Sequence, residues 1–174
     1  MPNLLTIDYL QHGTSIQIRA YQVLTENEVL SQIAHYNPVL IGTIPIDIAI
    51  ENSDLDIICY WKNKKEFVKK LQLCFGNHPS FSIRELSFDD EEAVVANFVL
   101  KEFEIEIFGQ NIPIEQQNGY KHMIIEHEIL SKKGASFRKK IIQLKKNGYK
   151  TEPAFALLLG LEGNPYQELL SYKI

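Results

Sequence analysis

The sequence predicts an α+β fold. Three observations lead there. Helical periodicity fills the first third and the last third of the chain. Between them, short apolar and alternating runs read as strands. The 174 residues, 45% of them hydrophobic and 23% charged, are enough for one domain with a real core. The expected organisation is a single domain over 1–174, with a sheet core over 25–110 and a helical C-terminal part over 113–174.

The opening reads as helix. Asp8-Tyr9-Leu10 begins a short element that Gly13-Thr14 interrupts. Ser15 to Leu24 then carries Ile16, Ala20, Val23 and Leu24 at helical spacing. Thr25 with Glu28 three residues on has the form of a capping box. It predicts a helix through Val29, Leu30 and Ile33 that stops before Asn37-Pro38. Val39-Leu40-Ile41 is a short apolar strand ending at Gly42. Ile44 to Ile50 is ambiguous, because Pro45 argues against an inner strand. Leu55 to Trp61 is a strand. Lys64 to Phe75 is a helix with Gly76 as its C-cap.

Phe81 to Phe88, Ala93 to Leu100 and Phe103 to Phe108 are strand-like, giving four or five strands in all. Asp89-Asp90-Glu91-Glu92 reads as a turn between the first two, and Lys101-Glu102 as a tight hairpin corner. Glu115 to Leu130, Phe137 to Lys146 and Glu152 to Leu161 are helices. Thr151 is the expected N-cap of the third. Asn164-Pro165 opens a last short helix.

Composition excludes several classes. The formal charge of −4 carries no global basic bias, so there is no strong nucleic-acid signal. Cys59 and Cys74 sit in apolar contexts without a CxxC partner, which fits a reduced, cytoplasmic chain. No stretch approaches a transmembrane span, and the N-terminus lacks the basic and apolar regions of a signal peptide. No membrane partner is expected.

The chemistry centres on Gly42-Thr43 and, ten residues later, Asp54-Leu55-Asp56-Ile57. Alternation in a strand aims Asp54 and Asp56 one way and Leu55 and Ile57 into a core. Two carboxylates aimed at one spot repel unless a cation or proton lies between them. Phe103 to Phe108 adds Glu104 and Glu106 on one strand face. Of these, Glu106 is the candidate third acid and Glu104 an exposed neighbour. An all-oxygen set of this kind suits Mg²⁺, or Mn²⁺.

This pattern resembles the nucleotidyltransferase superfamily that includes DNA polymerase beta. Gly42-Thr43, Asp54-Leu55-Asp56-Ile57 and Glu106 occupy its motif places. The closer resemblance is to a small bacterial domain-of-unknown-function branch. It shares Gly42–Ile46, Ser53–Ile57, Ile105–Gly109 and the Lys-Thr-Glu-Pro-Ala-Phe segment at Lys150–Phe155. The resemblance implies a mixed sheet with flanking helices. It implies transfer of a nucleoside monophosphate from an NTP, ATP in the first place, to an acceptor. Asp54, Asp56 and Glu106 would be both the catalytic residues and the metal ligands. Gly42, Thr43 and Ser53 would cradle phosphates.

Many active relatives carry Arg or Lys in the connector after the Gly-hydroxyl pair. Here Ile44–Ser53 holds no cation and two acids. That keeps open a catalytically inactive, antitoxin-like binding module, and a metal-dependent phosphohydrolase. The other source of cations is the tail. Eight of the 18 basic residues fall between Lys132 and Lys150. Such a charge run reads first as a solvated helix face, from which Arg138 or Lys150 could reach a phosphate. His122 and Glu126, four apart on one helical face, read as a surface pair or a satisfied core histidine rather than metal ligands. The resemblance, whose pattern includes Gln117, Tyr120, His122 and Glu126, implies a substrate-pocket role for them. His127 reads as solvent-facing. Glu152 as a pocket acid is the lesser reading.

Overall fold

The computed structural model describes residues 3–88 and 91–173. A 3₁₀ turn over Asp8–His12 precedes α1 (Ser15–Glu26) and the single-turn α2 (Val29–Gln32). The helix expected over Ser15 to Leu24 is α1, while the second helix, expected to start at Thr25, begins only at Val29. Thr14 is the N-cap of α1, and its N–H donates to Gln17 Oε1 at 2.9 Å. Thr25 is interior to α1, and Glu28, at φ 53°, makes the break. No breaker stands before Asn27, so the apolar stripe carries the helix on.

Five strands form one mixed sheet: β1 (Val39–Ile41), β2 (Leu55–Tyr60), β3 (Ser82–Phe88), β4 (Glu91–Leu100) and β5 (Phe103–Gln110). Their order is β1-β2-β5-β4-β3, parallel only between β2 and β5. Helix α3 (Lys64–Phe75) lies between β2 and β3 in the chain. Glu91 and Glu92 open β4 rather than forming a turn, and Asp89 and Asp90 lie outside the described residues. Lys101, at φ 56°, makes the tight corner before β5.

One face of the sheet is apolar. Leu55, Ile57 and Cys59 of β2, Ile105 and Ile107 of β5, and Val94, Ala96 and Phe98 of β4 pack against α1 and α3. Gly109 lets this layer close. A Cβ there would lie 2.3 Å from Phe67 Cε1 and 2.9 Å from Trp61 Cδ1. Both rings are fixed in a dense core. Gly109→Ala is expected to cost about 1–3 kcal/mol through overpacking, read as a lower urea midpoint at unchanged slope.

The helical part is α4 (Asn118–Lys146), α5 (Thr151–Leu159) and α6 (Pro165–Leu170). It packs around a second cluster that includes Met123, Ile129, Ile141, Phe155 and Leu169. Gly134, at φ 77° and ψ −171°, breaks α4 into two helical segments, so the two expected helices meet at one residue and not across a loop. Lys150, not Thr151, is the N-cap of α5. Asn164 caps α6 by accepting from Tyr166 N–H. Among the described residues, no helix is long and apolar enough to cross a membrane.

The ambiguous segment after Gly42 is an irregular, buried connector between the two clusters. Ile44 packs with the sheet, and Ile46 and Ile48 pack with the helices. The connector makes few backbone bonds of its own, among them Asp47 N–H to Ile44 O at 3.2 Å and Ile48 N–H to Thr43 O at 3.0 Å. Its other buried polar groups need partners from elsewhere. Side chains supply them. Gln17 Nε2 donates to Ile44 O at 2.8 Å, and the Tyr9 hydroxyl to Pro45 O at 3.3 Å. Arg138 Nη1 donates to Ile46 O and Asp47 O, and Lys145 Nζ to Ile48 O at 3.0 Å.

Candidate active site

The opposite sheet face carries the acids. Parallel register sets Asp56 of β2 beside Glu106 of β5, which pairs in turn with Asn97 of β4. Registered neighbours in adjacent strands share a face. Asn97 Nδ2 donates to Glu106 Oε2 at 3.1 Å, and Arg84 Nη2 donates to Asn97 Oδ1 at 3.2 Å. This relay orients Glu106. Neither Asn97 nor Arg84 stands out in the sequence, because a cross-strand partner is set by register and not by spacing. Glu104 is exposed, as expected.

Asp54 precedes β2 and is exposed, whereas Asp56 is half-buried. Burial, then Asp54 and Glu106, push the Asp56 carboxyl up to about 7. Gly42, just after β1, lies close against it. At φ +83°, a Cβ on Gly42 would stand 2.6 Å from Asp56 Oδ2. Thr43 Oγ1 bonds Ser53 Oγ at 3.2 Å, and Ser53 Oγ accepts from Ile50 N–H at 2.9 Å. These contacts hold the turn that delivers Asp54.

Two clefts meet at Asp56. One, of about 470 Å³, includes Glu106, Phe108, Gln110 and Gln117. The other, of about 440 Å³, includes Gly42, Thr43, Ser53, Asp54, His122, Glu126, Lys145, Lys150 and Glu152. Most of the expected site residues thus line one or other cleft, Glu106 the first and Asp54 the second, with Asp56 in both. Arg138 lines neither cleft. Its guanidinium is spent on the connector carbonyls and on Asp47, whose Oδ2 lies 3.6 Å away.

The basic tail is a largely solvated face, as expected, with Lys145 as the exception. It is buried in the wall of the second cleft, 8% exposed, and burial lowers its ammonium to about 8. Its neighbours Lys139, Lys140 and Lys146 are exposed. Glu152, at the start of α5, joins the cleft as well. Burial, then Glu152, raises the Glu126 carboxyl well above the usual carboxylate range. His127 is not solvent-facing. Both ring nitrogens are shielded without a hydrogen-bond partner among the described residues, and burial lowers its pKa. Buried Gln117 ties α4 to β2 by donating to Cys59 O at 3.0 Å.

The sequence profile of the domain-of-unknown-function family DUF4269 matches residues 22–172. The chain belongs to that family. The DUF4269 chain also resembles solved nucleotidyltransferase structures. Cid1, described for its RNA terminal uridylyl transferase activity, aligns with a TM-score of 0.55 at 11% identity, covering 76% of this chain and 41% of that one. The Cid1 poly(U) polymerase with MgGTP bound aligns at 0.52 and 12% identity, over 73% of this chain and 40% of that one. A chain of the GLD-2/RNP-8 complex aligns at 0.54 and 12% identity, over 87% and 60%. This protein therefore spans about two fifths of the Cid1 chains. At such identities the likeness is one of fold, and the fold is that of the nucleotidyltransferases. No curated protein matches the sequence.

Proposed function

We propose that this DUF4269 protein is a Mg²⁺-dependent nucleotidyltransferase acting between an NTP and an acceptor hydroxyl. The carrying observation is the registered pair Asp56 and Glu106 on parallel strands, with Asp54 two residues upstream of Asp56. The donor chemistry suits the ion. The three carboxylates must draw closer to share it, since among the described residues only His122, Glu126 and Glu152 bring three ligand atoms within 4.8 Å of one another. Asp54, Asp56 and Glu106 all offer carboxylate oxygens, and Asp56 is held near neutrality by burial and by the two other acids. A divalent metal held there by Asp54, Asp56 and Glu106 would supply positive charge to offset that of the phosphates and of the reacting oxygens.

The chain's own residues then have distinct roles. Asp54 and Asp56 supply ligands from one strand end. Glu106 completes the set, held by Asn97. Gly42 keeps the backbone close to the carboxylates, where a side chain would intrude. Lys145 and Lys150, in the cleft wall, supply the positive charge that the connector lacks. Their place in the cleft supports the active reading, although Lys145 also donates to Ile48 O at 3.0 Å.

Calorimetric titration of Mg²⁺ and ATP tests this reading. Wild type is expected to bind ATP only with Mg²⁺, and Glu106→Gln to bind it at least about 10-fold more weakly, the loss of one charge-assisted contact. Affinity should rise with pH through about 7, because Asp56 must lose its proton to ligate. Absence of metal-dependent nucleotide binding in wild type would leave the inactive module as the better account.

A further inference from the structure

The second cleft holds a cluster that the transferase reading does not use. His122 and Glu126 of α4 and Glu152 of α5 bring one ligand atom each to within 4.8 Å of one another. Two of the three are almost wholly enclosed, Glu126 at 3% exposure and His122 at 8%. Glu126 Oε1 and His122 Nδ1 are buried, with no hydrogen-bond partner among the described residues. Buried polar atoms left unpaired are costly, and each calls for an explanation. Here an imidazole nitrogen and a carboxylate oxygen share one pocket wall, with a second carboxylate beside them.

We propose that His122, Glu126 and Glu152 bind a Zn²⁺-class transition-metal ion, separate from the Mg²⁺ site of Asp54, Asp56 and Glu106. The donor chemistry distinguishes the two. A nitrogen ligand with two carboxylates suits Zn²⁺ and its neighbours, whereas an all-carboxylate set suits Mg²⁺. Around a tetrahedral ion at ~2.1 Å, ligand atoms stand about 3.4 Å apart. The ligand atoms, within 4.8 Å of one another, thus have at most about 1.4 Å to close, and Glu152, half-buried at a helix start, is the least enclosed of the three. Lys145 does not fill the place, since its ammonium is held by the Ile48 carbonyl at 3.0 Å. Three protein ligands leave a coordination position open to the cleft, as in catalytic rather than structural zinc sites. The ion would also clamp α4 to α5.

The test uses metal alone, with no nucleotide, so it stands or falls apart from the transferase reading. Metal-stripped full-length protein is dialysed against Zn²⁺ in excess Mg²⁺, and the bound ion is counted. Wild type and Asp56→Asn should each retain a single Zn²⁺ per chain. His122→Ala and Glu152→Gln should weaken retention at least about 10–100-fold, the loss seen for groups that merely orient a ligand. Co²⁺ in place of Zn²⁺ should give a visible absorption band that these two variants lack. Glu152→Gln spares the buried core, so it decides the matter if His122→Ala fails to fold. Folded wild type without retained Zn²⁺ would overturn the proposal. So would retention lost in Asp56→Asn and kept in Glu152→Gln.

Discussion

Asp56→Asn is expected to abolish Mg²⁺-dependent nucleotide binding and, in the same protein, to raise the melting temperature of the metal-free form. The two effects have one cause. Without metal, Asp56 is desolvated and faces Asp54 and Glu106, which holds its folded pKa near 7 against 3.8 for the free side chain. Between those values the folded state binds more protons than the unfolded state. Stability contributed by this group therefore falls as pH rises from about 4 to about 7. Asparagine cannot ionise and escapes that loss. The gain should grow from pH 5 to pH 8 and reach roughly 3–8 °C, at about 2–4 °C per kcal/mol for a chain of this size. Thermal melts in a chelator, at both pH values, check it. A drop in melting temperature at pH 8 would count against like-charge crowding at Asp56.

Gly42→Ala should also lose metal-dependent nucleotide binding, but with stability moving the opposite way. Two penalties act at once. The residue has φ +83°, where an L side chain is strained by about 1–2 kcal/mol. Its new Cβ would stand 2.6 Å from Asp56 Oδ2, so the carboxylate must shift out of register with Glu106. A melting point lower by roughly 4–10 °C is expected. The double variant with Asp56→Ala separates the terms. Removing the carboxylate removes the contact and leaves the backbone strain, so the cost of Gly42→Ala should shrink in that background. An unchanged cost would show that the contact is immaterial.

These two predictions concern residues that were legible in the sequence. The alternation in Leu55 to Tyr60 and Phe103 to Phe108 reports which side chains share a face. That is enough to nominate Asp54, Asp56 and Glu106 and to pair them by resemblance. The parallel register that joins Asp56 to Glu106 was not legible. Nor was the Arg84–Asn97–Glu106 relay. Strand order and register depend on which elements pack together over the whole sheet. The start of the second helix was misplaced at Thr25 because Thr25 and Glu28 have the local form of a capping box, whereas α1 runs on through Glu26 and Glu28 itself makes the break.

The connector shows the limit most clearly. Local composition said that Ile44 to Ile50 is apolar, interrupted by Pro45 and poor in cations. It could not say that two hydrophobic clusters compete for alternate isoleucines, which forces an irregular buried path. That path leaves carbonyls in need of donors. Arg138 and Lys145, some ninety residues on, are drawn to them and away from solvent.

By itself, then, the sequence determined the α+β class, the acids of one sheet face and the glycine beside them. These follow from short-range periodicity and from motif spacing. Only the tertiary structure decided which cations reach the cleft and that His122, Glu126 and Glu152 converge. The energies responsible, burial of charge and satisfaction of buried polar atoms, arise only when distant segments exclude water from one another.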